Sequence, residues 1–116
     1  MNLNKFYELI LKDNGGSYNI VTGVFNPDKG YMVSLQGREL KVPLKEFNKD
    51  ILKTFLIDHI DALCLDTFYL GAWVHLNTVY LDVSSNIFDK DRAFRIGKIN
   101  EQLAIYDCEN QVAIHL

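Results

Sequence analysis

Five potential metal ligands lie close together in the middle of the chain: Asp58, His59, Asp61, Cys64 and Asp66. The ligands of a zinc ion must converge on one side of the element that carries them. If this segment is helical, Asp58 and Asp61 share a face, but His59 points about 100° away from Asp58, toward the apolar side. Cys64 follows His59 by five residues, a spacing that also separates the two side chains. We therefore predict no metal site and no cofactor here, and a partly buried His59.

The candidate general bases for catalysis are the three histidines, His59, His75 and His115. A nucleophile needs such a base within hydrogen-bonding reach, and a third group that orients the base. No serine or cysteine stands at a spacing that connects it to a histidine, and we expect Ser84 to face away from Asp82 on its strand. The glycines are scattered and form no phosphate-binding loop. The sequence therefore favours a protein without catalytic activity.

Aromatic and apolar residues alternate along two predicted strands, 68–76 and 79–84, which flank a turn at Asn77-Thr78. Pairing Leu76 with Val79 gathers an apolar set on one face: Ala72, Val74, Leu81 and Val83, extended by Phe68 and Leu70. The opposite face then holds the candidate partner-binding residues: Tyr69, Trp73, His75, Tyr80 and Asp82. In this register His75 lies opposite Tyr80, and Trp73 lies opposite Asp82.

The aromatic side of this hairpin has two interpretations. Rigid aromatic side chains give a large contact area at low entropic cost, and tryptophan and tyrosine are enriched at interface hot spots. The face could therefore bind a partner. Alternatively, the first or the third helix covers it and makes it a second layer of the core. The exposure of Trp73 distinguishes the two.

A basic ridge offers a different function. Arg92, Arg95 and Lys98 recur at a spacing of three residues, so they share one face of a predicted helix. Such a ridge is typical of the solvated side of an amphipathic helix, and it could also contact nucleic acid.

These residues must be positioned by helices and short strands, which together predict an α+β fold. We expect an N-terminal helix ended by Gly15-Gly16, a three-stranded antiparallel meander over residues 17–43, and a central helix capped by Asn48. Phe47 and Leu52 would staple the start of that helix, and its apolar side would extend through Ile60 to Leu63. A β-hairpin–helix–β-hairpin unit follows, with Asp89 capping a helix over 90–99 and a last hairpin over 102–116.

Composition limits the class of protein. The 116 residues predict a single domain, 1–116, and 48% of them are apolar, enough for a core. Residues 1–57 carry eight basic and six acidic side chains, and residues 58–116 carry four and nine, so the net charges are +2 and −5. Cys64 and Cys108 both lie in apolar runs, which predicts two buried, reduced thiols. No apolar run approaches the roughly 18 residues of a membrane-spanning helix, so we expect a cytoplasmic protein without membrane contact.

The second half of the chain resembles a group of small uncharacterised proteins from phages and other mobile elements. Two segments carry the resemblance: LGAWVHLNTVYLDVS at 70–84 and DKDRAFRIGKINEQLAIYD at 89–107. Their shared features are a Gly-x-Trp hairpin at Gly71 and Trp73, a Tyr-Leu-Asp-Val-Ser strand at 80–84, a short helix, and an Ala-Ile-Tyr-Asp strand at 104–107. The resemblance implies an origin in a mobile element, where inhibitors of host defence such as anti-CRISPR proteins are common.

Three hypotheses for function follow. The first is a protein–protein interaction module of a phage or mobile element that occludes a host defence protein or nucleoprotein complex such as Cas9. Its acidic half would supply part of the contact through Asp58, Asp61, Asp66, Asp82, Asp89 and Asp91. The alternative is a nucleic-acid-binding accessory protein that uses Arg92, Arg95 and Lys98. The third is a metal-dependent hydrolase that depends on Asp58 or Asp61.

Overall fold

A computed structural model describes residues 2–116, which form one six-stranded antiparallel sheet with all of its long helices on one face. The helices are α1 (Leu3–Asp13), α2 (Lys49–Asp58), the short α3 (Ile60–Leu63) and α4 (Lys90–Ile99). The strands are β1 (Gly15–Tyr18), β2 (Tyr31–Pro43), β3 (Phe68–His75), β4 (Thr78–Ile87), β5 (Ala104–Asp107) and β6 (Val112–His115). The predicted α+β class, N-terminal helix and hairpin–helix–hairpin unit are confirmed.

Two helices, α2 and α4, begin directly after the cap residues that the sequence predicted. The Asn48 Oδ1 accepts the N–H of Ile51 at 2.9 Å, and the Asp89 Oδ1 accepts the N–H of Arg92 at 3.1 Å. Each bond satisfies a backbone donor that has no partner within its helix. The end of α1 differs from the prediction, because Asn14 rather than a glycine takes the left-handed conformation, with φ of 61°. Gly15 already belongs to β1.

The predicted three-stranded meander is wrong. The sheet order is β1-β3-β4-β2-β5-β6, so β2 lies between β4 and β5 and is separated from β1 by two strands, β3 and β4. The second and third strands of the meander are one strand, β2, whose pairing with β4 is interrupted by a bulge between Ser34 and Glu39. Both halves of β2 pair with the long β4, from Tyr31 opposite Ile87 to Pro43 opposite Thr78. Pairing with β4 places Val33 and Val42 on the side of the sheet that packs against the helices, so both are buried.

The core lies between the sheet and its helices. The larger cluster joins Phe6 and Ile10 of α1 and Leu52, Phe55 and Leu56 of α2 to the sheet. Its sheet residues include Leu70, Ala72, Val79, Leu81 and Val83, as the hairpin pattern predicted. A second cluster joins Ala93 of α4 to Val33 and Ile105. The helices therefore cover only one side of the sheet, which we name the helix-covered face.

Two details of the central segment correct the sequence analysis. The helix is interrupted at His59, so Ile60 does not continue the apolar side of α2 and is exposed. Cys64 is also exposed, whereas Cys108 is buried as predicted, and both thiols are free. The break at His59 explains the exposure of Ile60, because a pattern drawn for one continuous helix does not extend past it.

The last hairpin is confirmed, with Asp107 opposite Val112. The Asp107 Oδ1 accepts the N–H groups of Glu109 and Asn110 at 3.1 and 3.2 Å, and its Oδ2 accepts the Asn110 side-chain amide at 2.8 Å. These bonds favour the charged carboxylate and lower the pKa of Asp107. An ionised aspartate thus fixes the turn that positions β6.

Candidate functional site

The hairpin β3–β4 has its aromatic side on the predicted face but in a different register. Its turn is Leu76-Asn77, with φ of 49° and 62°, the mirror-image type that matches the twist of a two-residue hairpin. Trp73 therefore lies opposite Tyr80, and Gly71 lies opposite Asp82. The predicted pairs were shifted by two residues. Side chains alternate with a period of two, so the shift changes the partners and leaves each residue on its predicted face.

The centre of this face is an aromatic stack. The rings of Trp73 and Tyr80 are 4.3 Å apart between centroids and 16° from parallel, and His75 lies 5.5 Å from Trp73. The Lys41 Nζ lies 5.7 Å from the Tyr80 centroid, in cation–π contact. On the other side of Trp73, its neighbour on β1 is Gly15, which has no side chain. Gly15 therefore places no side chain over the indole, which Tyr80 supports from the other strand.

No helix of the described residues covers this side of the sheet, which we name the open face. Trp73 is 46% exposed and His75 is exposed, so the interpretation as a second core layer is wrong for both. Tyr69 lies elsewhere on the open face and is buried in a small cluster with Met32 and Cys108. Burial raises the pKa of the Cys108 thiol to about 11, which keeps it protonated. The predicted binding residues are thus divided between an exposed part around Trp73 and a buried part around Tyr69.

A half-buried aspartate, Asp82, lies beside the stack. The Asp82 Oδ2 accepts the Ser34 hydroxyl and its Oδ1 accepts the Ser84 hydroxyl, both at 2.9 Å, and the two hydroxyl oxygens are 3.2 Å apart. The expectation that Ser84 faces away from Asp82 is wrong, because residues two apart on a strand share a face. Gly71 makes room for the group, since a Cβ at that position would overlap the Asp82 carboxyl. Burial raises the pKa of Asp82 above its ordinary value, against the lowering effect of the two serine hydroxyls.

The raised pKa predicts how stability depends on pH. The folded chain holds the Asp82 proton more tightly than the unfolded chain, so this stabilisation is complete below the unfolded pKa and is lost as pH rises through the folded pKa. We expect the free energy of unfolding of wild type, relative to Asp82→Asn, to decrease as pH rises from the acidic range. Urea denaturation of both proteins at several pH values measures the difference, with the exposed Asp58→Asn as control. A difference that does not change with pH would contradict the prediction.

The acidic candidates are not gathered at the stack. Asp58, Asp66 and Asp91 are exposed, and Asp89 caps α4. Asp61 accepts both guanidinium nitrogens of Arg38 at 2.7 Å, which lowers the pKa of its carboxyl to about 2. Asp58 and Asp61 belong to the helical layer, on the side of the sheet opposite Trp73. Asp58 also lines, together with His59, an open groove of about 380 Å³ between α2 and β2.

The nucleic-acid candidates lie on a third surface. Arg92, Arg95 and Lys98 are all exposed on α4, whose Ala93 and Gly97 are buried against the sheet. The prediction of one solvated basic side of this helix agrees with that exposure. None of the three belongs to the open face, so the structure keeps the basic ridge and the aromatic stack apart.

Sequence reasoning missed three residues of the site: Ser34, Lys41 and Gly71. Ser34 and Lys41 lie on β2, and only the position of β2 beside β4 brings them to Asp82 and Tyr80. Gly71 carried a signal, because glycine within a strand often marks the close approach of another group.

No protein-family model, curated protein or solved structure matches this chain. Within residues 2–116, no helix has the length and apolar character needed to cross a membrane.

Proposed function

We propose that this protein is a non-enzymatic interaction module that binds a protein partner through the open face around Trp73. One observation supports this above the others. The Trp73 indole is stacked on Tyr80 and yet 46% exposed, on a side of the sheet that no described helix covers. An aromatic side chain held in place before binding loses little conformational entropy when a partner covers it. The stack therefore has the character of a binding hot spot.

The partner in this proposal is a bacterial host-defence protein or nucleoprotein complex, such as Cas9, which the bound module would occlude. The resemblance of residues 70–107 to proteins of phages and mobile elements supports this choice. The net charge of −5 in residues 58–116 supports it through long-range attraction, since Asp58 and Asp61 lie outside the open face. A cleft that receives nucleic acid is positively charged, so an acidic partner is attracted to it and competes with the natural ligand.

Truncating the stack tests the proposal. We expect affinity purification from a bacterial lysate, followed by mass spectrometry, to recover a partner with wild-type protein and to recover about tenfold less of it with Trp73→Ala. Ile57→Ala is the matched control, because Ile57 is exposed on α2, in the helical layer. A parallel assay measures whether purified wild-type protein, Trp73→Ala and Ile57→Ala inhibit DNA cleavage by a Cas9–guide complex.

The outcomes separate the hypotheses. Equal recovery of every partner by wild type and Trp73→Ala would exclude the open face as the binding surface. A partner lost only with Trp73→Ala, but without any effect on cleavage by Cas9, would retain the binding module and reject this choice of partner. Salt-sensitive binding to an oligonucleotide that is lost in Arg95→Ala would favour the nucleic-acid alternative.

A further inference from the structure

The strand β6 leaves one edge of the sheet without a neighbour among the described residues. The segment 111–116 that contains it has no charged residue, no proline and no glycine. Charged side chains, prolines, bulges and a very short length are the usual means by which proteins prevent a sheet edge from pairing with another chain. The strand β6 is short, with four residues, but its outer edge has no charge, proline or bulge.

The other free edges are protected. Along β1, the Asn26 N–H donates to the Ser17 carbonyl at 2.9 Å, and the Ser17 N–H donates to the Asn26 Oδ1 at 2.8 Å, so the chain itself occupies that edge. The part of β2 beyond its pairing with β5 carries Arg38, Glu39, Lys41 and Pro43. Among the described strands, β6 is therefore the edge best suited to accept another strand.

The backbone bonds of the last hairpin show which groups of β6 point outward. The Leu116 N–H donates to the Leu103 carbonyl at 2.9 Å, in line with the pairing of Ile105 with Ile114. Antiparallel strands alternate bonded and non-bonded pairs, so Val112, Ile114 and Leu116 bond toward β5. The N–H and C=O groups of the residues between them, Ala113 and His115, consequently point away from the sheet.

We propose that two copies of this chain associate through β6, antiparallel to each other, about a two-fold axis at Ile114. In this register Ala113 of each copy lies opposite the partner's His115. Each pair exchanges two backbone hydrogen bonds, so four bonds satisfy all the outward-pointing groups of both strands. The two sheets then continue as one sheet of twelve strands. This inference concerns a different surface from the open face and does not depend on the proposed function.

The side chains of β6 are compatible with pairing to β6 of a second copy. Ile114 lies on the helix-covered face and would meet the partner's Ile114, an apolar contact next to the cluster of Val33 and Ile105. On the open face, the small Ala113 leaves space for the partner's His115. The strand has no charge, so a two-fold axis brings no like charges together. A second copy is thus a better occupant than a charged peptide.

Disulfide trapping tests the register. Ile114 would form a non-hydrogen-bonded pair with its copy, in which the Cα atoms are about 4.5 Å apart, within the range of a disulfide. We expect Ile114→Cys, in a Cys64→Ser background that removes the exposed thiol, to form a covalent dimer on mild oxidation. Ala113→Cys in the same background is the control, because its distance to its own copy would be about 8 Å. Non-reducing electrophoresis measures both.

Removing one outward-pointing donor tests the association itself. We expect light scattering on the wild-type protein to give a mass near twice the 13.4 kDa of one chain. Ala113→Pro should give the mass of one chain, since it removes an outward-pointing N–H and no bond to β5. A wild-type protein that stays monomeric at about 0.5 mM would overturn the proposal, and so would equal trapping of the two cysteine variants. The trapping arm remains decisive if Ala113→Pro does not fold.

Discussion

Replacing Gly71 by alanine is expected to lower the free energy of unfolding by about 2 to 4 kcal/mol, although alanine has only one additional methyl group. That methyl would overlap the Asp82 carboxyl, which is half-buried between Ser34 and Ser84 and has a raised pKa. The carboxyl can move only by breaking its two serine bonds, and the strands can separate only by breaking the ladder between β3 and β4. Urea denaturation monitored by the fluorescence of Trp73 measures the loss.

A double-mutant cycle identifies the cause of that loss. Asp82→Ala by itself removes a half-buried hydrogen-bonded group and is destabilising, but in this background the methyl of Gly71→Ala has space. We therefore expect Gly71→Ala to cost less than about 1 kcal/mol when Asp82 is already alanine. If Gly71→Ala costs the same in both backgrounds, the effect arises from the backbone of β3 and not from its contact with Asp82.

Replacing Asn19 by aspartate is expected to lower the free energy of unfolding at least as much. Aspartate has nearly the same shape as asparagine, but it lacks the side-chain N–H donor that this buried site uses. The Asn19 amide donates to the Asp66 carbonyl at 2.7 Å, and its oxygen accepts the N–H groups of Val21 and Thr22, both at 3.0 Å. Its side chain is fully buried, so these bonds tie the loop after β1 to the segment before β3 without help from water. Aspartate places a carboxylate oxygen against the Asp66 carbonyl, at a cost of about 3 kcal/mol or more at neutral pH.

The pH dependence distinguishes this explanation from a general loss of packing. A buried aspartate at position 19 would have a raised pKa, so part of the lost stability should return as pH falls and the carboxyl becomes neutral. Asn19→Ala should cost about 2 to 3 kcal/mol with no such recovery relative to wild type. Asn4→Ala, at an exposed position of α1, is the matched control and should change stability by less than about 1 kcal/mol. Chemical denaturation at several pH values measures all three variants.

Much of the local structure could be predicted from the sequence, because its causes lie within a few residues. Asn48 and Asp89 cap their helices through bonds to the third residue beyond them, and such bonds form wherever the helix lies. The two faces of the hairpin followed from alternation alone. Trp73 and Tyr80 were therefore assigned to the correct side without knowledge of the rest of the fold.

The partners across the sheet could not be predicted in the same way. The alternating pattern tolerates a shift of two residues, and the turn that sets the register requires a leucine with positive φ, a rare conformation for that residue. The exposure of Ile60 likewise depended on an interruption at His59 that the apolar periodicity does not show, and the apolar run around Cys64 did not reveal that its thiol is exposed. In each case, two different tertiary arrangements are compatible with the same local pattern of apolar residues, so the pattern does not distinguish them.

The sequence by itself determined that the chain forms helices and alternating strands, that two helices start at Asn48 and Asp89, and that Trp73 and Tyr80 share a face. Only the tertiary structure decided that this face is open and that Trp73 stacks on Tyr80. It also decided that Asp82 is enclosed by Gly71, Ser34 and Ser84. The physical reason is distance along the chain. Ser34 and Asp82 are 48 residues apart in the sequence. They meet because β2 lies between β4 and β5 in the sheet, and that strand order depends on how the whole sheet packs against its helices.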